Sequence, residues 1–239
     1  MARIEAVDPR NIVPLPSDSP WSSWARPDIH HCEANLSGWI TAPADTWSNV
    51  AYILAALWIW RRKDEPNART LAAIVLAIGV TSFLFHATYT FAFQVFDYGG
   101  MFLYSGWILS LGLRRLGRLD ERQARILFAV LAPLSTGLVV VFHSRGVPVQ
   151  PLFGVQALAA VALEVWLYFA GREHVDRRPL AAAVALTAAG FVLWDLDHTD
   201  WFCRPDDHLI QGHALWHLAT AASFVPAFLY YRQFGPRRI

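Results

Sequence analysis

Lysine is almost missing from this chain: Lys63 stands alone against nineteen arginines in 239 residues. That bias, with abundant alanine, matches the composition of GC-rich bacterial genomes. Charge of either sign is scarce, at 16% of residues, where soluble domains are usually nearer a quarter. The net charge of +1 leaves no one-sided field, so nothing points to a nucleic-acid partner. Cysteine occurs twice, at Cys32 and Cys203. The first forty or so residues are polar and proline-rich and lack the short apolar stretch and cleavage site of a signal peptide. Long linkers, internal repeats and low-complexity segments are also lacking, so a single helical domain is expected.

What is present instead is apolar sequence, 55% of the chain, gathered into runs near the length that crosses a bilayer core. Seven runs follow in order, at 43–60, 70–88, 91–113, 124–142, 149–170, 179–196 and 209–231. They are apolar nearly all round, where a soluble helix would carry a stripe. Backbone polar groups in hydrocarbon must be satisfied internally, so the expected fold class is an all-α membrane protein, a seven-transmembrane helix bundle. Arg61, Arg62, Lys63 and Arg69 follow run one; Arg114, Arg115, Arg118, Arg122 and Arg125 follow run three. Arg172, Arg177 and Arg178 follow run five, and Arg232, Arg237 and Arg238 end the chain. The opposite loops hold only Arg145 and Arg204. The positive-inside rule puts the N-terminus outside and the C-terminus in the cytoplasm, against a mild dissent from Arg3, Arg10 and Arg26. The chain then divides into a polar extracytoplasmic segment at 1–42, the membrane domain at 43–232 and a short basic tail at 233–239. Both cysteines fall on the outer side, where a disulfide is permitted; topology alone leaves two free thiols equally open.

Several residues read as architecture. Asp45 or Thr46 is placed to cap the first helix, and Pro179 suits a helix's first turn. Pro133 and Pro226 are expected to kink runs four and seven, and Gly99 and Gly100 to allow close helix contact. The ionisable residues within the runs are His86, Asp97, Glu164, Asp195, His213 and His217. Such groups face the bundle interior or a functional site by default. At 1.5 Å per residue, Asp97 lies about 9 Å below its helix start, and His213 and His217 about 6 and 12 Å below theirs. His86 closes an outward-running helix, so all four share the outer layer. His213 and His217, in "GHALWH", stand four apart on one helical face. Three imidazoles with an open position suit catalytic zinc, and Asp97 is placed as an outer partner or general base. Ser82 lies one turn before His86 on the same face and is placed to reach the same cavity. Spacing alone leaves packing, a proton path through Asp97 and Glu164, and haem open, although haem usually takes a second histidine pair that is absent here. Glu164 reads as a structural hydrogen-bonding group or a pocket edge. His30, His31, His143, His174, His198 and His208 fall in loops or at run ends and are expected to be solvated.

These elements, in order, resemble the alkaline ceramidase family, within the superfamily that also holds the adiponectin and progestin receptors. "CEAN" at 32–35, "DTWSNVAYI" at 45–53, "SFLFH" at 82–86, "QVFD" at 94–97, "LWDLD" at 193–197, "WFCR" at 201–204 and "GHALWH" at 212–217 carry the likeness. "CEAN" and "SNVAY" favour the ceramidase branch over the receptors. The resemblance implies a seven-helix membrane amidase acting on ceramide or a related N-acyl lipid. By its pattern His86, His213 and His217 hold zinc, Asp97 and Ser82 complete the catalytic site, and Cys32 bonds Cys203. Family members of animal type bind calcium through an acidic N-terminal cluster. Glu33 and Asn35 match it, but His30 replaces one acidic ligand and another falls near Ala42–Ala44, so the calcium set is incomplete. With the compositional bias, the expected location is a bacterial plasma membrane, with the site toward the periplasm. A receptor-like or regulatory protein with a structural zinc is the rival reading.

Overall fold

The computed structural model describes residues 15–170, 175–201 and 203–235. Arg3, Arg10, Arg172, His174, Arg237 and Arg238 lie outside the described residues. Among the described residues the secondary structure is all α-helix, with eight segments: α1 (Pro43–Ser48), α2 (Val50–Trp60), α3 (Ala68–Thr88), α4 (Phe91–Arg115), α5 (Glu121–Ser144), α6 (Gln150–Ala170), α7 (Arg178–His198) and α8 (Gly212–Tyr231). The first apolar run is therefore broken at Asn49, and α1 and α2 follow one another along it. α3, α5, α6 and α7 are long and apolar enough to cross a membrane.

α3 occupies the middle of the fold, packed on α1, α2, α4 and α8; α5 and α6 lean on α4, and α7 leans on α8. Lipid tails are as apolar as leucine, so packing and polar contacts, rather than water exclusion, must join helices in a membrane. Small residues supply the packing. A Cβ on Gly100 would lie 2.9 Å from Thr81 Oγ1 and 3.1 Å from Ile78 Cα, and one on Gly79 2.8 Å from Tyr52 Cβ. Polar contacts add to it: Gln156 on α6 accepts from Ser135 on α5 at 2.7 Å and donates to Ser105 on α4 at 2.8 Å. Glu164 accepts from Arg115 at 2.7 Å and from Tyr230 and Tyr231 at 3.1 and 3.2 Å, a structural network as its position in the run suggested. Both prolines stand inside continuous helices, α5 through Pro133 and α8 through Pro226. Leu158, Phe169, Val192 and Leu54 point outward, more than half exposed, a surface fit for hydrocarbon.

The segment before α1 closes one end of the bundle. Its backbone takes over carbonyls that the end of α3 leaves unpaired: Thr41 N donates to Ala87 O at 2.9 Å and Ala42 N to His86 O at 3.2 Å. Ala25 O in turn accepts from Phe91 N at the start of α4, at 2.8 Å. A disulfide between Cys32 and Cys203, Cα atoms 5.4 Å apart, ties this segment to the loop before α8. The first helix is not capped by Asp45 or Thr46. Glu33 does that from the segment, its two carboxylate oxygens accepting from Ala44 N and Asp45 N at 2.9 Å each. A carboxylate there satisfies donors that the helix itself cannot.

Candidate metal centre

Four histidines meet beneath the N-terminal segment. His86 comes from the last turn of α3, and His213 and His217 from the first two turns of α8. The fourth is His31, from the segment itself. His31, His86 and His213 can each offer a ligand atom so that all three lie within 4.8 Å of one another. The Nε2 atoms of His86 and His213 are 3.3 Å apart. The His31 ring centroid lies 3.8 Å from that of His213, and the His217 ring lies 4.5 and 4.9 Å from those of His213 and His86. All four side chains are buried.

The expectation that His31 is solvated is thus corrected: only 3% of it is exposed. Burial, reinforced by the neighbouring histidines, holds its imidazole well below the ordinary range, so the ring is neutral with one nitrogen free of a proton. The signal missing from the sequence is a periodic one, since His31 lies in a segment without regular structure. His208, also expected in solvent, is half-buried and lies 2.9 Å from Glu33 Oε1. Glu33 is thereby committed to two backbone donors and an imidazole, while Asn35 Oδ1 is buried without a partner.

The outer nitrogens of the cluster differ in their surroundings. Ser48 Oγ lies 2.8 Å from His217 Nδ1, leaving Nε2 as that ring's free nitrogen. Behind His86, Asp45 Oδ2 sits 3.8 Å from Nδ1. Asp45 is fully buried and neither of its oxygens has a hydrogen-bond partner. A carboxylate behind a ligating histidine is a common second partner for a metal centre, and Asp45 holds that position here. The Nδ1 atoms of His31, His86 and His213 are likewise buried without partners. An all-imidazole donor set with unsatisfied nitrogens fits zinc by ligand type.

Asp97 on α4 and Ser82 on α3 are neighbours, close enough for the serine to act on the Asp97 carboxyl. Ser82 precedes His86 by one turn, which links the pair to the histidines through one helix. Tyr52 joins from the other side: its ring is 6.0 Å from that of His217 and its hydroxyl meets Thr220. A groove of about 220 Å³ opens between α1 and α8 beside Ser48, walled by Pro43, Trp47, Leu215 and Leu218.

Asp197 sets the backbone around the cluster. It is buried, while Asp195, two residues earlier, is exposed. Its Oδ1 accepts from His213 N at 3.0 Å and its Oδ2 from Cys32 N at 3.1 Å. One carboxylate therefore caps α8 and holds the segment that carries His31. Gly212 makes the close approach possible, since a Cβ there would lie 2.9 Å from Asp197 Cβ and 3.0 Å from Leu193 O. Gly212→Ala is expected to push α8 away from α7 at a cost of about 1–3 kcal/mol, the range for overpacking. A lower melting temperature in detergent is the check; an unchanged one would mean the contact relaxes freely.

The family model described as Ceramidase matches residues 26–234, which take in the N-terminal segment and all eight helices. The chain is also 24% identical over 227 residues to alkaline ceramidase YPC1 of Saccharomyces cerevisiae, covering 80% of this chain and 71% of that protein. On the extent of the family match, the chain belongs to the ceramidase family.

Proposed function

We propose that this protein hydrolyses the amide bond of ceramide or a related N-acyl lipid at a zinc centre within a seven-span membrane bundle. The products are a fatty acid and a sphingoid-type amine. The observation that carries the reading is the convergence of buried imidazoles from α3 and α8 in a ceramidase-family chain. His86, His213 and His217 would hold the metal, with Asp45 behind His86 and Ser48 behind His217 as orienting partners. Bound there, zinc supplies Lewis acidity toward the amide carbonyl and makes water acidic enough to act near neutral pH.

The chain's own groups then handle protons and charge. Asp97 takes the proton of the attacking water and delivers it to the departing amine. Ser82, beside Asp97, is the donor available to the carbonyl oxygen as negative charge develops on it. Burial of the cluster excludes bulk water, which strengthens both effects. The groove between α1 and α8 would give a lipid chain lateral access beside Ser48, the partner of His217.

The disulfide and the clusters of arginine around 61–69 and 114–125 lie at opposite ends of the helices. An oxidised bridge at one end and basic loops at the other support an outside N-terminus and a cytoplasmic C-terminus. With the arginine-for-lysine bias, the reading extends to a bacterial plasma membrane with the centre toward the periplasm.

The test combines metal analysis of the purified protein with mass spectrometry of ceramide incubated with wild type and His217→Ala. Zinc in the wild type, with fatty acid released by it and not by His217→Ala, is the expected result. Zinc without release from any N-acyl lipid would favour a structural metal in a receptor-like protein. Protein without zinc, or full activity in His217→Ala, would overturn the mechanism.

A further inference from the structure

We propose that His31 is a fourth imidazole of the metal centre at rest, set into it by the N-terminal segment and displaced when water takes the open position that catalysis needs. The inference rests on the metal reading above and adds a ligand that the spacing of the helical histidines does not supply. Its ring is closer to that of His213 than the His217 ring is, with centroids 3.8 Å apart against 4.5 Å. A nitrogen of His31 joins those of His86 and His213 in a triad whose atoms all lie within 4.8 Å of one another.

A packed, structural histidine would show its polar atoms satisfied. His31 Nδ1 is instead buried without a hydrogen-bond partner, and so are the Nδ1 atoms of His86 and His213. His86 and His213 face each other through Nε2, with Asp45 behind the His86 Nδ1, so it is the unpartnered His31 atom that bears on that ring's role.

The backbone around His31 is held to a degree that packing alone does not demand. His31 N donates to the Tyr89 hydroxyl at 3.1 Å, and that hydroxyl donates to Ile29 O at 3.0 Å. Cys32 N donates to Asp197 Oδ2 at 3.1 Å, and the Cys32 side chain is bonded to Cys203. Asp197 Oδ1 meanwhile accepts from His213 N. His31 and His213 are therefore registered against each other by one buried carboxylate. Preorganisation of this kind lowers the cost of assembling ligands from distant parts of a chain.

Cobalt(II) is the probe, because its visible absorption reports the number and type of ligands and its binding needs no substrate. Full-length wild type, His31→Ala and His31→Phe are purified, stripped and titrated with cobalt, and imidazole is then added to His31→Ala. Loss of an outer partner alone lowers metal affinity 10–100-fold, so loss of a ligand is expected to cost at least about tenfold. Both variants should bind more weakly with an altered visible spectrum, and free imidazole should restore the wild-type spectrum in His31→Ala. His31→Phe keeps a ring in the cluster and serves if the alanine variant does not fold. Wild-type affinity and spectrum in the variants would overturn the proposal. So would weakened binding that imidazole does not rescue, which would make His31 a packing residue. A wild type that binds no cobalt would count against the metal centre itself, and so separates the two readings.

Discussion

His213→Ala is expected to abolish zinc retention and to slow release of fatty acid from ceramide at least about a thousandfold, or about 4 kcal/mol in the barrier. His213 is the residue on which the cluster turns. Its Nε2 is 3.3 Å from that of His86, and its ring is the nearest neighbour of His31. It stands one helical turn before His217, with ring centroids 4.5 Å apart. Removing it separates the two helical contributions and opens a void between three other rings. Zinc content of the purified variant and product analysis of the lipid reaction check the two halves independently. Stoichiometric zinc with wild-type turnover would remove His213 from the centre. Ser82 and Asp97 lie on α3 and α4 and do not depend on His213 for their contact, so the variant should keep its fold.

Asp197→Ala is expected to produce the largest loss of stability. The carboxylate is 1% exposed and accepts from two backbone N–H groups belonging to different parts of the chain. Hydrogen bonds to a charged partner contribute about 1.5–3 kcal/mol each, so the pair amounts to roughly 3–6 kcal/mol. That is a large share of the 5–15 kcal/mol typical of a folded domain. The melting temperature in detergent should fall steeply, and cobalt affinity should fall with it because α8 and the N-terminal segment lose their common anchor. Asp197→Asn keeps an oxygen for one of the two donors and should lie between. If Asp197→Ala melted like wild type, the disulfide alone would be holding the segment in place.

Most helices were legible because an apolar run in a bilayer has few alternatives. The second run, read as 70–88, is α3 at 68–88, and the fifth, read as 149–170, is α6 at 150–170. The i,i+4 pair at His213 and His217 was legible for the same reason: a helix puts that spacing on one face whatever surrounds it. Depth along each helix then placed His86 in the same layer, and the rings do meet. Asp45 was harder. Its position before an apolar run is that of a capping residue, but Glu33 arrives from the preceding segment, takes the N–H groups, and leaves Asp45 buried behind His86.

By itself, then, the sequence determined which stretches become helices, which of their faces carry imidazole, and the match that places the chain in its family. Those properties depend on neighbours within a turn or on the solvent the chain must enter. Tertiary structure decided the rest: that His31 leaves solvent for the cluster, that Asp197 rather than Asp195 is buried, and that Gly212 lies against α7. A loop has no period to reveal its inward face. Its burial is set by the disulfide, the Tyr89 hydroxyl and the Asp197 carboxylate, which come from positions 58 to 171 residues away along the chain and meet His31 and Cys32 only once the helices have packed.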